Sequence, residues 1–172
     1  NHGRVSATAV RVVEPVHESV LSFPDELHVL VCDDLKMNRL LLKRSLKNIA
    51  VECVEACTAE EAIQAAGERH FDLIFMDETF SEAEGALLGT DAVREIRRAE
   101  AAKPSRRSVI VSCTGYAEIT TGGDANDKFL TSKRFIDAGC DALWGKPIPS
   151  HVDGSMQREI VRLLQHKILA SV

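Results

Sequence analysis

Asp33, Asp34, Asp77, Thr114 and Lys146 are the residues whose types and spacing could do chemistry. Each stands at the end of a short, largely apolar run. The runs are Leu27–Cys32, Phe71–Met76, Ser108–Cys113 and Asp141–Gly145. Such runs, bounded by polar residues, read as strands buried on both faces, as in a parallel sheet. Ligands of open parallel sheets bind beyond the carboxyl ends of the strands. Three carboxylates, a hydroxyl and an ammonium would therefore converge on one edge. Acids packed together repel, and a bound cation is the natural remedy. Oxygen ligands with open positions favour magnesium. Lys146 adds a movable point charge suited to phosphoryl oxygens. Taken singly, each residue has a bland reading. Asp33-Asp34 could cap a helix, Thr114 could start a turn, and Lys146 before Pro147 could be a solvated loop residue. The whole set in this order does not reduce to five such accidents.

The elements that must position these groups are legible as alternating periods. After the strand at Leu27–Cys32 comes a helix with Leu35, Leu42, Leu46 and Ile49 at helical spacing. Val51–Ala56 is a second strand. Thr58-Ala59-Glu60-Glu61 is a capping box, with the hydroxyl capping and Glu61 reaching back, and its helix runs to about Arg69. Phe71–Asp77 is the third strand. Phe80–Leu88 reads as a loop, and Thr90-Asp91 open the next helix, with Ala92, Val93 and Ile96. The fourth strand is Ser108–Cys113, followed by a long loop from Tyr116 to Asp127 and a helix around Phe129–Ala138. The short strand Asp141–Gly145 precedes a last helix with Met156, Ile160, Leu163, Leu164 and Ile168. Strand and helix alternate five times. This predicts an α/β fold, a doubly wound five-stranded parallel sheet with helices on both faces and right-handed crossovers.

Residues 1–26 lack a sustained period. Val10, Val12, Val13 and Val16 could form one strand, but Pro15 and Pro24 interrupt it. The expected organisation is a linker or extension over 1–26 and one domain over 27–172. The chain starts at Asn1, so it reads as a piece of something longer. At 172 residues with 45% hydrophobic and 27% charged residues, it has the balance of a globular domain with a real core. A net charge of −5 lacks the footprint of a nucleic-acid binder. No apolar run approaches the roughly 20 residues of a membrane span. Five cysteines without metal-site spacing argue against a disulfide framework or a zinc site. Cys32 and Cys113 sit inside strand-like runs, as small buried hydrophobes do. A reducing cytoplasm is the expected home.

Four motifs carry a resemblance. Cys32-Asp33-Asp34-Leu35-Lys36-Met37-Asn38-Arg39, Asp72–Asp77, Cys113-Thr114-Gly115 and Gly145-Lys146-Pro147-Ile148 together resemble a receiver domain of two-component signalling, over about residues 27–170. The Asn38-Arg39 pair is similar to receivers fused to hybrid histidine kinases. The resemblance implies a flavodoxin-like sheet of strand order 2-1-3-4-5. It implies Asp77 as phosphoacceptor and Asp34, Asp77 and the Thr79 backbone carbonyl as ligands of Mg2+, with Asp33 holding the ion directly or through water. Lys146 would pair with the phosphoryl group, and Thr114 would move to bond it. The implied partner is a histidine kinase or histidine phosphotransfer domain, with no nucleic acid or membrane contact and a homodimer left open. The implied role is a signalling module that catalyses only its own phosphorylation and dephosphorylation.

The chain departs from the family pattern near the site. Thr79-Phe80-Ser81-Glu82 stands where the family usually has a proline. Leu143, with Trp144 beside it, stands where the family often has a ring that follows the threonine inward. The loops before Gly89 and after Thr114 are longer than usual. Three rival readings exist. A haloacid-dehalogenase-like aspartyl phosphatase expects an Asp where Thr79 stands. A flavodoxin-like cofactor binder needs a phosphate-cradling loop where Asp33-Asp34 would repel phosphate. A docking pseudo-receiver would not need the full set of five residues.

Overall fold

A computed structural model of the chain describes residues 27–50, 52–80, 86–103, 107–115 and 133–170. The expected extension over 1–26 and the Tyr116–Asp127 loop lie outside the described residues. Five strands form one sheet: β1 (His28–Cys32), β2 (Glu52–Ala56), β3 (Leu73–Met76), β4 (Val109–Thr114) and β5 (Ala142–Gly145). Their order is β2-β1-β3-β4-β5, and every neighbouring pair is parallel. Among the described residues the helices are α1 (Lys36–Leu46), α2 (Ala59–Glu68), α3 (Gly89–Ala101), α4 (133–138) and α5 (Ser155–Ala170); positions 129–132 of the helix expected around Phe129–Ala138 lie outside them.

The apolar runs of β1, β3 and β4 have no polar alternation because both faces of the sheet are covered. Successive side chains of a strand point to opposite faces. Val29 and Val31, Leu73 and Phe75, and Val109 and Val111 pack with Leu42 and Leu46 of α1 and Met156, Ile160 and Leu164 of α5. Leu30 and Cys32, Ile74 and Met76, and Ile110 pack with Ala59 and Ala62 of α2, Val93 and Ile96 of α3, and Ala138 of α4. Truncating a wholly buried member such as Leu46 or Phe75 to alanine should cost about 2–5 kcal/mol. Cys32 and Cys113 are buried as free thiols. Trp144 lies on the α1/α5 side, its ring 5.3 Å from that of Phe75, while Leu143 is only half-buried.

Details at the helix starts differ from expectation. Leu35 is the residue before α1 and is 58% exposed, so the buried stripe of that helix begins at Leu42. Thr58 caps α2 by accepting the Glu61 N–H at 3.1 Å. Glu61 reaches back one residue further than a capping box requires, to the N–H of Cys57 at 2.7 Å. Helix α3 starts at Gly89, so Thr90 and Asp91 lie inside its first turn. Among the described residues, no helix is long and apolar enough to cross a membrane.

Candidate active site

The parallel register brings the strand ends level. Cys32 pairs with Ala56 and Met76, and Met76 with Ser112. The ladder runs one step beyond β3, since the N–H of Asp77 donates to the carbonyl of Cys32 at 2.9 Å. Asp33 and Asp77 therefore leave adjacent strands at the same level. A carboxylate oxygen from each of Asp33, Asp34 and Asp77 falls within 4.8 Å of the others. Asp33 and Asp77 are buried and Asp34 is exposed.

Lys146 enters from the end of β5, where its N–H donates to the Thr114 carbonyl at 3.2 Å. Its Nζ donates to Oδ2 of Asp33 at 2.9 Å and to Oδ2 of Asp77 at 2.7 Å. Burial and the charge of Asp33 push the Asp77 carboxyl up to about 6, against the pull of Lys146. Half-burial works against the charge of Lys146, but its two carboxylate partners prevail and hold its pKa above the usual lysine value. One ammonium among three clustered carboxylates leaves an excess of negative charge. Hard oxygen donors in that setting fit a divalent cation such as magnesium. Thr114 is buried at the end of β4, and Thr79 is exposed two residues beyond Asp77. All six residues singled out in the sequence thus lie at the ends of the strands or in the turn that follows. A groove of about 240 Å³ opens beside Asp33 and Lys146, between Leu41 of α1 and Ile148.

Sequence reasoning gave no role to the residues that brace this site. The Asn38 amide donates to both oxygens of Asp33, at 3.0 and 3.1 Å. Arg39 Nη1 donates to the carbonyls of Asp33 and Asp34, at 2.7 and 3.1 Å, and its Nε donates to Glu55 at 2.9 Å. The first turn of α1 therefore folds back and grips the acidic pair by side chain and by backbone. Glu78 is buried directly after Asp77. Its N–H donates to Oδ1 of Asp77 at 2.8 Å, and its carboxylate accepts the N–H and hydroxyl of Thr90, at 2.9 and 3.0 Å. Arg134 of α4 pairs with the same carboxylate. The available signal was position. A second acid after a buried strand, followed by an apolar Phe80, falls on the face opposite Asp77, under the helices.

The sequence pattern of the response regulator receiver domain matches residues 29–128. The sensor protein EvgS of Escherichia coli (strain K12) is 34% identical over 86 residues, which are 50% of this chain but only 7% of EvgS. The two-component response regulator ARR22 of Arabidopsis thaliana is 31% identical over 124 residues, covering 71% of this chain and 75% of ARR22. Among solved structures, the receiver domain of the sensor histidine kinase PA1611 from Pseudomonas aeruginosa PAO1 has the same fold. It aligns with a TM-score of 0.61 at 22% identity, over 81% of this chain and 98% of that one, and holds a magnesium ion in its active site cleft. The ordered strand ends, the acid cluster with its lysine, and the family match over 29–128 together mean that this chain belongs to the response regulator receiver domain family of two-component systems.

Proposed function

We propose that this chain accepts a phosphoryl group on Asp77 from the histidine of a kinase or phosphotransfer domain. The observation that carries the reading is the Lys146 ammonium bridging Asp33 and Asp77 beside the exposed Asp34. An oxygen of Asp77 bonds phosphorus as the phosphorus–nitrogen bond breaks, and the electron pair returns to the donor imidazole. Lys146 offers three donors to the charge on the phosphoryl oxygens. The N–H of Glu78 holds Asp77 in place during transfer. The hydroxyl of Thr114 bonds a phosphoryl oxygen afterwards, and that bond is the start of the conformational signal. Asp33, Asp34, Asp77 and the Thr79 carbonyl would hold Mg2+, which supplies charge neutralisation; positioning and electrostatics are the main demands of phosphoryl transfer.

On this reading residues 27–172 form the receiver, and it acts as a cytoplasmic module of a larger signalling kinase. It catalyses only the gain and loss of its own phosphoryl group. The test is incubation with a small-molecule phosphodonor and Mg2+, then mapping of acid-labile phosphate. Wild type should incorporate one phosphoryl group at Asp77, and Asp77→Asn should incorporate none. Undiminished label in Asp77→Asn would sink the assignment.

A further inference from the structure

We propose that Asn38 is a positioning residue that makes Asp33 a one-oxygen ligand, and so favours magnesium over calcium at the acidic site. The inference deepens the reading above and rests on it.

An ionised carboxylate only accepts hydrogen bonds and offers about four acceptor positions. On Asp33 three donors crowd these positions, and one of them, the amide nitrogen of Asn38, lies across the face between the two oxygens. Oδ1 accepts the Leu35 N–H at 2.9 Å and the Asn38 amide at 3.1 Å. Oδ2 accepts the Asn38 amide at 3.0 Å and the Lys146 ammonium at 2.9 Å. Two of these three donors, the Leu35 N–H and the Asn38 amide, come from the start of α1, so removing them loosens the first turn of the helix. The third, Lys146, comes from the end of a flexible side chain on a different element. A cation approaching Asp33 can therefore take only the Lys146 position, on Oδ2. Embrace by both oxygens would require Asn38 and the Leu35 N–H to let go. Arg39 blocks the other escape, a shift of the whole loop, by holding the carbonyls of Asp33 and Asp34.

The two cations differ on this point. Calcium takes six to eight oxygens and readily accepts both oxygens of one carboxylate, whereas magnesium demands a small octahedron. A carboxylate pinned to one free position suits magnesium and deprives calcium of a ligand. Residues that orient a metal ligand typically govern affinity about 10- to 100-fold.

The test uses the full chain and each metal alone. Apparent affinities for Mg2+ and Ca2+ are measured by calorimetry and by Trp144 fluorescence, in wild type and Asn38→Ala. The expected result is a loss of Mg2+ affinity of about 10-fold, with Ca2+ affinity unchanged or raised. Asn38→Ser, whose side chain is too short to span both oxygens, should shift the Mg2+/Ca2+ ratio the same way, and it decides the matter if the alanine variant unfolds. Equal factors for the two ions, or no change in either, overturn the role of Asn38 while leaving the magnesium site standing. A wild-type chain that binds neither ion overturns the site itself and this inference with it.

Discussion

The ammonium of Lys146 lies 2.7 Å from Oδ2 of Asp77, the nearer of its two carboxylate contacts. It thereby occupies the oxygens that face the acid cluster and partly neutralises them. Lys146→Ala should separate two roles. Mg2+ affinity should hold or rise, because a competing cation has gone. The rate of phosphoryl incorporation should fall about 100-fold, as for the loss of one preorganised donor to a developing charge. Lys146→Arg should not restore the rate, since a planar fork does not replace a compact point charge. Calorimetry and stopped-flow with a small phosphodonor check both arms. A parallel loss of metal affinity would assign Lys146 to the metal site instead.

Gly89 and Gly67 form a contrasting pair. A Cβ on Gly89 would stand 1.9 Å from the carbonyl oxygen of Asp77, so the start of α3 touches the backbone of the proposed phosphoacceptor. Gly67, inside α2, has open space at the same position. Gly89→Ala should destabilise the chain by roughly 1–3 kcal/mol, as overpacking does, and displace Asp77. Gly67→Ala should stabilise it by about 0.4–1 kcal/mol. Urea unfolding of both variants, together with phosphoryl incorporation, gives the comparison. A harmless Gly89→Ala would mean that α3 is free to retreat from the site.

The strands and the acids were legible for one physical reason. Strands covered on both faces must be apolar throughout, so an acid at the end of β1 or β3 marks an abrupt change of environment. The bracing residues carry no such mark. Asn38 and Arg39 stand out only by their likeness to the receivers of hybrid kinases, which says nothing of what they hold, and only the fold-back of α1 gives them Asp33. Glu78 reads as a loop acid until α3 and α4 bring Thr90 and Arg134 to its carboxylate. Leu35 fits the helical stripe by spacing, but it precedes the first turn and so faces solvent.

Glu100 sets a pH dependence away from the site. Its half-burial pushes its pKa up, but the Ser108 N–H at 2.7 Å and Arg97 at 2.6 Å outweigh burial and hold the carboxyl below its usual 4.5. A lowered folded-state pKa contributes stability above the unfolded value, and that stability is lost as pH falls through the folded one. Glu100→Gln should therefore cost about 1.5–3 kcal/mol at pH 7, the range for a hydrogen bond to a charged group. The gap should narrow below pH 4.5 and close in stronger acid. Urea unfolding across that range checks the sign. A gap that widens on acidification would contradict the ion-pair account.

Glu78 and Arg134 join the loop after β3 to α4. The Glu78 carboxylate is buried, whereas the Arg134 side chain is 44% exposed. The two partners should therefore respond unequally to mutation. Arg134→Ala leaves an uncompensated buried charge. It should cost about 1–3 kcal/mol, below the range for a wholly buried pair because water reaches the arginine side. Glu78→Gln keeps the volume and can still bond the N–H and hydroxyl of Thr90, while the freed guanidinium turns to solvent, so its cost should be smaller. In the Glu78→Gln background, Arg134→Ala should cost almost nothing, because no buried charge remains to be stranded. This non-additivity is the signature of a direct pair and is measured by a double-mutant cycle in urea. The Glu78 N–H also holds Asp77, so Arg134→Ala should slow phosphoryl incorporation through a loosened loop, and Glu78→Gln should recover part of that rate in the double variant. Strictly additive stabilities would show that Arg134 acts on α4 alone, with no energetic link to the loop that carries Asp77.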